Sequence, residues 1–293
     1  MFSRGASAQG LLAAPIETGT ILFVNESRYL PDANRVGVLT ATVLLAYALS
    51  RLVQTPQFTI AMQLPGFYFS YPISLSTVMV FLAAGLTATG MDWLLRSHPS
   101  LGDKRTIEHW LLPTLSAFII GIPLTILPPG KAWWIGFGIG SLLLVLIFFA
   151  EYIVVEPSAP NYAIATAGLT ALSFAIYLIL TTALRYGGAR LFLLAPALFI
   201  AAGLVSLRTL HLRTGQKWEY NWAIGIALVC TQIAAGLHYW PVSPVQFGLV
   251  LLAPLYALST FAGNLLEGIP VRRAIIEPLI ALGLAWGVAI LFQ

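Results

Sequence analysis

The run Ser141-Leu142-Leu143-Leu144-Val145-Leu146-Ile147-Phe148-Phe149-Ala150 has no charge and only one polar side chain, and it sits inside an apolar stretch from Ala132 to Val155 whose one charged residue is Glu151. An α-helix rises about 1.5 Å per residue and the hydrocarbon core of a bilayer is about 30 Å thick, so roughly 20 mainly apolar residues make one crossing. Similar stretches run from Val36 to Leu52, Ile73 to Leu95, Leu111 to Leu127, Ile164 to Leu184, Leu191 to Leu207, Trp222 to Leu237, Val245 to Ala262 and Ile275 to Phe292. The expected fold is therefore an all-α, polytopic transmembrane helix bundle of about nine spans. Composition agrees: 58% of the 293 residues are hydrophobic and 9% are charged, against about 25% charged in a soluble domain, and mean hydropathy is +0.86.

Two parts follow, a cytoplasmic amino-terminal arm over residues 1–35 and a transmembrane helical domain over residues 36–293. The arm does not read as a secretory signal. Its apolar run from Leu11 to Pro15 is too short and is followed by Glu17, Glu26, Arg28, Asp32 and Arg35, so it is expected to stay attached. Cys230 is the single cysteine and falls within the seventh span, which excludes intramolecular disulfides, iron-sulfur clusters and Cys-rich zinc sites.

Lys and Arg in short loops are retained on the cytoplasmic side during insertion. One side would hold eleven of them: Arg4, Arg28, Arg35, Arg96, Lys104, Arg105, Arg208, Arg213, Lys217, Arg272 and Arg273. The other would hold Arg51, Lys131, Arg185 and Arg190. This places the amino terminus inside and, with nine spans, the carboxyl terminus outside. The acidic residues all fall on the inner side or at inner helix ends, so the outer face is positive and would suit anionic lipid head groups or an acidic partner. A plainer reading is that short outer loops carry few charges of either sign.

Proline-rich turns, Leu127-Pro128-Pro129-Gly130-Lys131 and His238-Tyr239-Trp240-Pro241-Val242-Ser243-Pro244, separate the third span from the fourth and the seventh from the eighth. Three returning spans end alike, at Asp92-Trp93-Leu94-Leu95, Glu151-Tyr152-Ile153-Val154 and Asn264-Leu265-Leu266-Glu267. Either a duplicated hairpin unit or convergent helix ends produces that pattern. In the first outer loop, Gln57 to Leu64 alternates polar and apolar residues, Pro65-Gly66 signals a turn, and Phe67, Tyr68, Phe69 and Tyr71 favour a strand. A short β-hairpin over Gln57 to Tyr71 is expected there, with its aromatics in the outer interfacial belt.

Few residues point to chemistry. Asp92, Glu151 and Glu277 lie near cytoplasmic helix ends, and the reading leaves two roles open: ion pairing with Arg96, Arg272 or Arg273, or a polar cluster in which Asp92, Glu151, Asn264 and Glu277 line one inward-facing cavity. Arg185-Tyr186-Gly187-Gly188-Ala189-Arg190 is a tight outer turn whose arginines, Arg185 and Arg190, would contact a lipid phosphate or simply snorkel. His98, His109, His211 and His238 show no i, i+4 pair and no zinc signature, so neither a metal nor a haem is expected, and no cofactor. Thr231 and Gln232 are expected to bond between helices, and Gly136-Phe137-Gly138-Ile139-Gly140-Ser141 to form a small-residue packing face.

Enzyme classes fail on what they require. Intramembrane prenyltransferases match in outline but need paired Asp-rich motifs, and Asp92 has Ala88 and Arg96 one turn away instead of a second carboxylate. A rhomboid-like protease needs Gly-x-Ser-x-Gly, which is absent. No nucleic-acid partner is expected. Membrane lipids are, and other membrane subunits that would meet the outer loops.

The stretch Trp240-Pro241-Val242-Ser243-Pro244, then Tyr256-Ala257-Leu258-Ser259, Asn264-Leu265-Leu266-Glu267-Gly268, Arg272-Arg273 and Glu277, resembles the carboxyl-terminal portion of an uncharacterised bacterial family of multi-pass membrane proteins. The likeness covers about the last 55 residues. It implies a bacterial inner-membrane location, and the family has no established activity to carry over. The function expected is that of a non-enzymatic scaffold or accessory subunit, with a transporter or flippase for a lipid-like or small uncharged substrate as the alternative.

Overall fold

The computed structural model describes residues 30–52, 58–64, 67–99, 101, 106–215 and 217–291. The arm expected over residues 1–35 therefore falls, up to residue 29, outside the described residues. So does the Pro65-Gly66 turn.

Among the described residues, nine helical spans are long and apolar enough to cross a membrane. They are formed by α1 (Ala33–Leu52), α2 (Leu75–Leu95), α3 (Ile107–Ile126), α4 (Lys131–Val154), α5 (Tyr162–Tyr186), α6 (Leu191–Arg213), α7 (Tyr220–His238) and α8 (Pro244–Leu266), then by α9 (Val271–Ala274) and α10 (Ile276–Leu291), which together make the ninth. We call proximal the end of the bundle at which α1 begins and α2 finishes, and distal the other. Between α1 and α2, β1 (Phe58–Leu64) and β2 (Phe67–Ile73) pair antiparallel, with Leu64 opposite Phe67 and Phe58 opposite Ile73. The side chains of Phe67, Tyr68, Phe69 and Tyr71 are not among those described. The second span was expected from Ile73. Instead the strand runs to that residue, and Ser74 then caps α2 by accepting from the Thr77 amide.

Two of the extensions beyond the expected apolar runs, in α3 and α6, bring charged residues and histidines into helices at the proximal end. α3 starts at Ile107 rather than Leu111, which brings Glu108 and His109 into the helix. α6 continues past Leu207 to Arg213, which brings in Arg208 and His211. Polar residues stay helical there because their side chains meet partners inside the bundle.

The interior divides into two apolar cores with α3 and α4 between them. Val43, Tyr47, Met91, Leu94, Ala117, Leu144 and Phe148 fill one. Ile119, Ile147, Leu169, Tyr177, Leu198, Phe247 and Leu251 are in the other. Adjacent residues on α4, Ile147 and Phe148, thus face opposite cores. The two helices meet closely at two of the three expected glycines. A Cβ on Gly140 would come within 2.5 Å of Ile120, and one on Gly136 within 3.1 Å of Leu127, whereas Gly138 faces open space. Small residues let backbones approach without an apolar driving force, which lipid does not supply. Prolines occur inside α3 (Pro113, Pro123), α6 (Pro196) and α8 (Pro254), tolerable where neighbouring helices supply alternative partners for the freed carbonyls.

α5 and α8 end in the same way. The Ala189 amide bonds Leu184 O and the Ile269 amide bonds Asn264 O, each across a glycine with positive φ, Gly188 (63°) and Gly268 (81°). Only glycine takes that conformation at little cost, so these turns stop both helices cleanly.

Candidate functional site

The most heavily buried charges lie at the proximal end, where α3, α4 and α6 come together. Glu151 is 0% exposed and Arg208 1%. Arg208 donates from Nε to Glu151 Oε1 at 3.2 Å and from Nη2 to Oε2 at 2.5 Å. Guanidinium and carboxylate geometry match in this two-point arrangement, which adds direction to the charge attraction. His109 Nδ1 stands 3.2 Å from Glu151 Oε2. On its other side, His109 Nε2 is 3.7 Å from Glu108 Oε1, and Glu108 Oε2 is 3.3 Å from His211 Nε2. The His211 ring stacks on Trp218, with centroids 4.1 Å apart. The side chains therefore alternate as Arg208, Glu151, His109, Glu108, His211. Exposure rises from none at Glu151 to 29% at Glu108.

Each sequence element contributes a definite part. Glu151 sits one turn from the end of α4, and Arg208 and His211 are three apart on α6, so they share a face. Glu108 and His109 occupy the first turn of α3, before Pro113. No group of three or more His, Cys, Asp or Glu among the described residues is placed to hold a metal ion.

The other expected site residues separate. Asp92 accepts from Arg96 Nε at 2.7 Å and from Thr106 Oγ1 at 2.5 Å, on the exposed rim of α2. That bonding favours the charged guanidinium of Arg96 and holds its pKa above the ordinary value. Asn264 belongs to a third group. Its Oδ1 accepts from Arg213 Nη2 at 2.8 Å, its Nδ2 donates to Ala274 O at 3.2 Å, and Arg213 also reaches Glu267 at 2.9 Å. Arg213 can lie along α8 because Gly263 has no side chain in its way. Glu277 is exposed and meets the Tyr256 hydroxyl at 3.4 Å. Arg272 and Arg273 are exposed too, with no ion pair among the described residues. The expected pairing of Glu277 and Glu151 with Arg272 or Arg273 does not form, because α9 and α10 lie outside α8 while Glu151 lies deep between α4 and α6. Asp92, Glu151, Asn264 and Glu277 accordingly do not surround one cavity.

At the distal end Arg185 is used internally. It donates from Nη1 to His238 O and from Nη2 to Trp240 O, both at 2.8 Å, and its guanidinium lies 5.4 Å from the Phe247 ring centroid. Arg185 thereby ties the end of α5 to the turn between α7 and α8. Arg190 is exposed at the start of α6. Thr231 bonds back to Ala227 O in its own helix at 2.7 Å, and Gln232 is exposed. Among the described residues, neither makes the bond between helices expected of it.

The sequence reading missed Arg208, His109, Glu108 and His211 as site residues because it assigned them to loops. The signal that would have retained them is helical continuation. Leu210 and Leu212 follow Leu207, and both are buried, as is Leu112 after His109.

The family model of the protein of unknown function DUF5656 matches residues 54–292. The chain belongs to that family. No curated protein and no solved structure matches it. The family match reaches far beyond the carboxyl-terminal portion on which the resemblance rested. It takes in both strands, the spans from α2 onward and every residue of the Glu151 chain, while α1 precedes it.

Proposed function

We propose that this DUF5656 member is a non-enzymatic integral membrane protein, a scaffold or accessory subunit of a membrane complex, set in a bacterial cytoplasmic membrane with its amino terminus inside and its carboxyl terminus outside. One observation carries the reading: the ninth span is peripheral. It packs chiefly against α8, and 17% of its apolar window is buried, against 28 to 56% in the other eight. Trp286 Nε1 pins it by donating to Val250 O at 3.2 Å. Its free flank carries Ile276, Ile280 and Leu284, and also Gly283 and Gly287, where a Cβ would meet nothing within 4 Å. Two exposed glycines four residues apart leave a notch in which another membrane helix packs closely. The outer loops, including the two-stranded hairpin, are the surface that the same partner would meet outside the bilayer.

A photoactivatable residue in place of Leu284 tests this in native membranes, with the same substitution at the exposed Ile139 of α4 as control. A discrete protein adduct at Leu284 and none at Ile139 is expected. Lipid adducts alone at both positions would sink the scaffold reading. Reporter fusions after Gln293 and within the arm are expected to report from opposite sides; both on one side would overturn the orientation.

The second reading, a transporter or flippase for a lipid-like or small uncharged substrate, draws on the buried charges, since ionisable groups within spans commonly mark transport paths. Loss of flux in Glu151→Gln, with stability and expression intact, would decide for it.

A further inference from the structure

We infer that Glu108, His109 and Glu151 form a proton-binding chain that opens at the proximal end of the bundle, with His211 as a side branch. The inference goes beyond the scaffold reading and does not depend on it. Only carboxylates and imidazoles in this cluster exchange protons, because a guanidinium stays charged in proteins. Arg208 is therefore a fixed positive terminus, and the exchanging groups stand in a row from it toward water.

The count of charges supports the same assignment. Among the described residues, Arg208 pairs with Glu151 alone, so the second carboxylate of the cluster, Glu108, which meets only His109 and His211, carries the negative charge that a single proton would neutralise. A charge held partly away from water without a cationic partner is costly. Among the described residues, the remaining charged groups around α3 are engaged elsewhere. On α2, Asp92 is held by Arg96 and Thr106. Arg35 of α1 donates to Trp93 O. The one charged residue of α5, Arg185, is at the distal end. On α6, His211 is stacked under Trp218. In the connection before α3, His98 senses both His109 and Glu156 electrostatically.

The transfer balances without an oxidant or a second substrate. A proton from water adds to Glu108, whose side chain is 29% exposed. Glu108 passes it to His109 Nε2 across 3.7 Å, a gap longer than a hydrogen bond that a carboxylate rotation or one bridging water closes. His109 then releases its Nδ1 proton to Glu151 Oε2, 3.2 Å away. The imidazole is left neutral in the other tautomer. The proton takes the lone pair with which Oε2 accepted from His109, so the Arg208 contacts keep their geometry while the carboxylate loses the charge that strengthens them. Proton loading thus loosens the connection between α4 and α6.

Infrared difference spectroscopy and indicator-dye proton uptake after an acid step, on the full-length protein in nanodiscs, test the chain. The expected result is, beside the bands of Glu108 and the exposed carboxyls, one further protonated-carboxyl band in the wild type that is absent in Glu151→Gln. In His109→Gln the band should appear roughly a hundredfold more slowly, at the low end of what a positioned proton-transfer group contributes. Wild-type intensity of that further band in Glu151→Gln, or uptake in His109→Gln at the wild-type rate, would overturn the inference. Where Glu151→Gln does not fold, Glu108→Gln and His109→Gln decide: slower uptake in both supports the chain, and wild-type uptake in either refutes it.

Discussion

Arg208 and Glu151 meet through two hydrogen bonds, at 3.2 and 2.5 Å, with both side chains out of contact with the surroundings. The pair joins α6 to α4 at a point where neither apolar core would otherwise admit charge. Breaking such a pair leaves a lone buried charge, whereas replacing both members with apolar side chains is often neutral. Arg208→Met alone is therefore expected to destabilise by about 3 to 5 kcal/mol. The double variant Arg208→Met with Glu151→Leu should recover most of that loss, read by thermal unfolding in detergent. A double variant no more stable than the single one would mean that the pair does not act as a unit.

Glu277 behaves differently because its surroundings differ. It is exposed on the outer flank of the ninth span with the Tyr256 hydroxyl at 3.4 Å. Glu277→Gln should change stability by no more than about 0.5 kcal/mol, as surface substitutions generally do. A large drop in unfolding temperature would show an ionic partner for Glu277.

His98 makes stability depend on pH. It is buried against Tyr152, with ring centroids 4.7 Å apart, and burial holds its pKa below the ordinary value of 6.5, with His109 acting in the same direction and Glu156 against it. The unfolded chain then binds this proton more readily than the folded one. Its effect on stability is absent above pH 6.5 and grows as a loss while pH falls from 6.5 toward the lower folded value. Unfolding temperatures measured across that window should fall in the wild type and fall less steeply in His98→Gln. Equal slopes would assign the pH dependence to other groups.

At the distal end, Arg185→Lys keeps the charge but cannot reach both carbonyls with a planar fork. It is expected to cost about 1 to 3 kcal/mol, and to leave binding to anionic vesicles unchanged. Unchanged stability with weakened vesicle binding would instead make Arg185 a lipid contact.

The bundle was legible from composition because the bilayer demands length and apolarity, and both are visible one residue at a time in stretches such as Ala132 to Val155 and Ile275 to Phe292. The proline turns were legible for the same reason, since backbone geometry is a local property, whereas only packing against α3 separated Gly136 and Gly140 from Gly138. Which charges meet is not local. Glu151 and Arg208 are 57 residues apart, and His109 lies 42 from Glu151. A window that scores apolar residues stops at such polar positions, and so it kept Glu151 within a span but left its partners Arg208 and His109 outside theirs. Only the packing of α3, α4 and α6 around one point decided that Glu151 faces Arg208 rather than Arg272 or Arg273, because in a low-dielectric interior a buried charge is tolerated only where the fold brings it a partner.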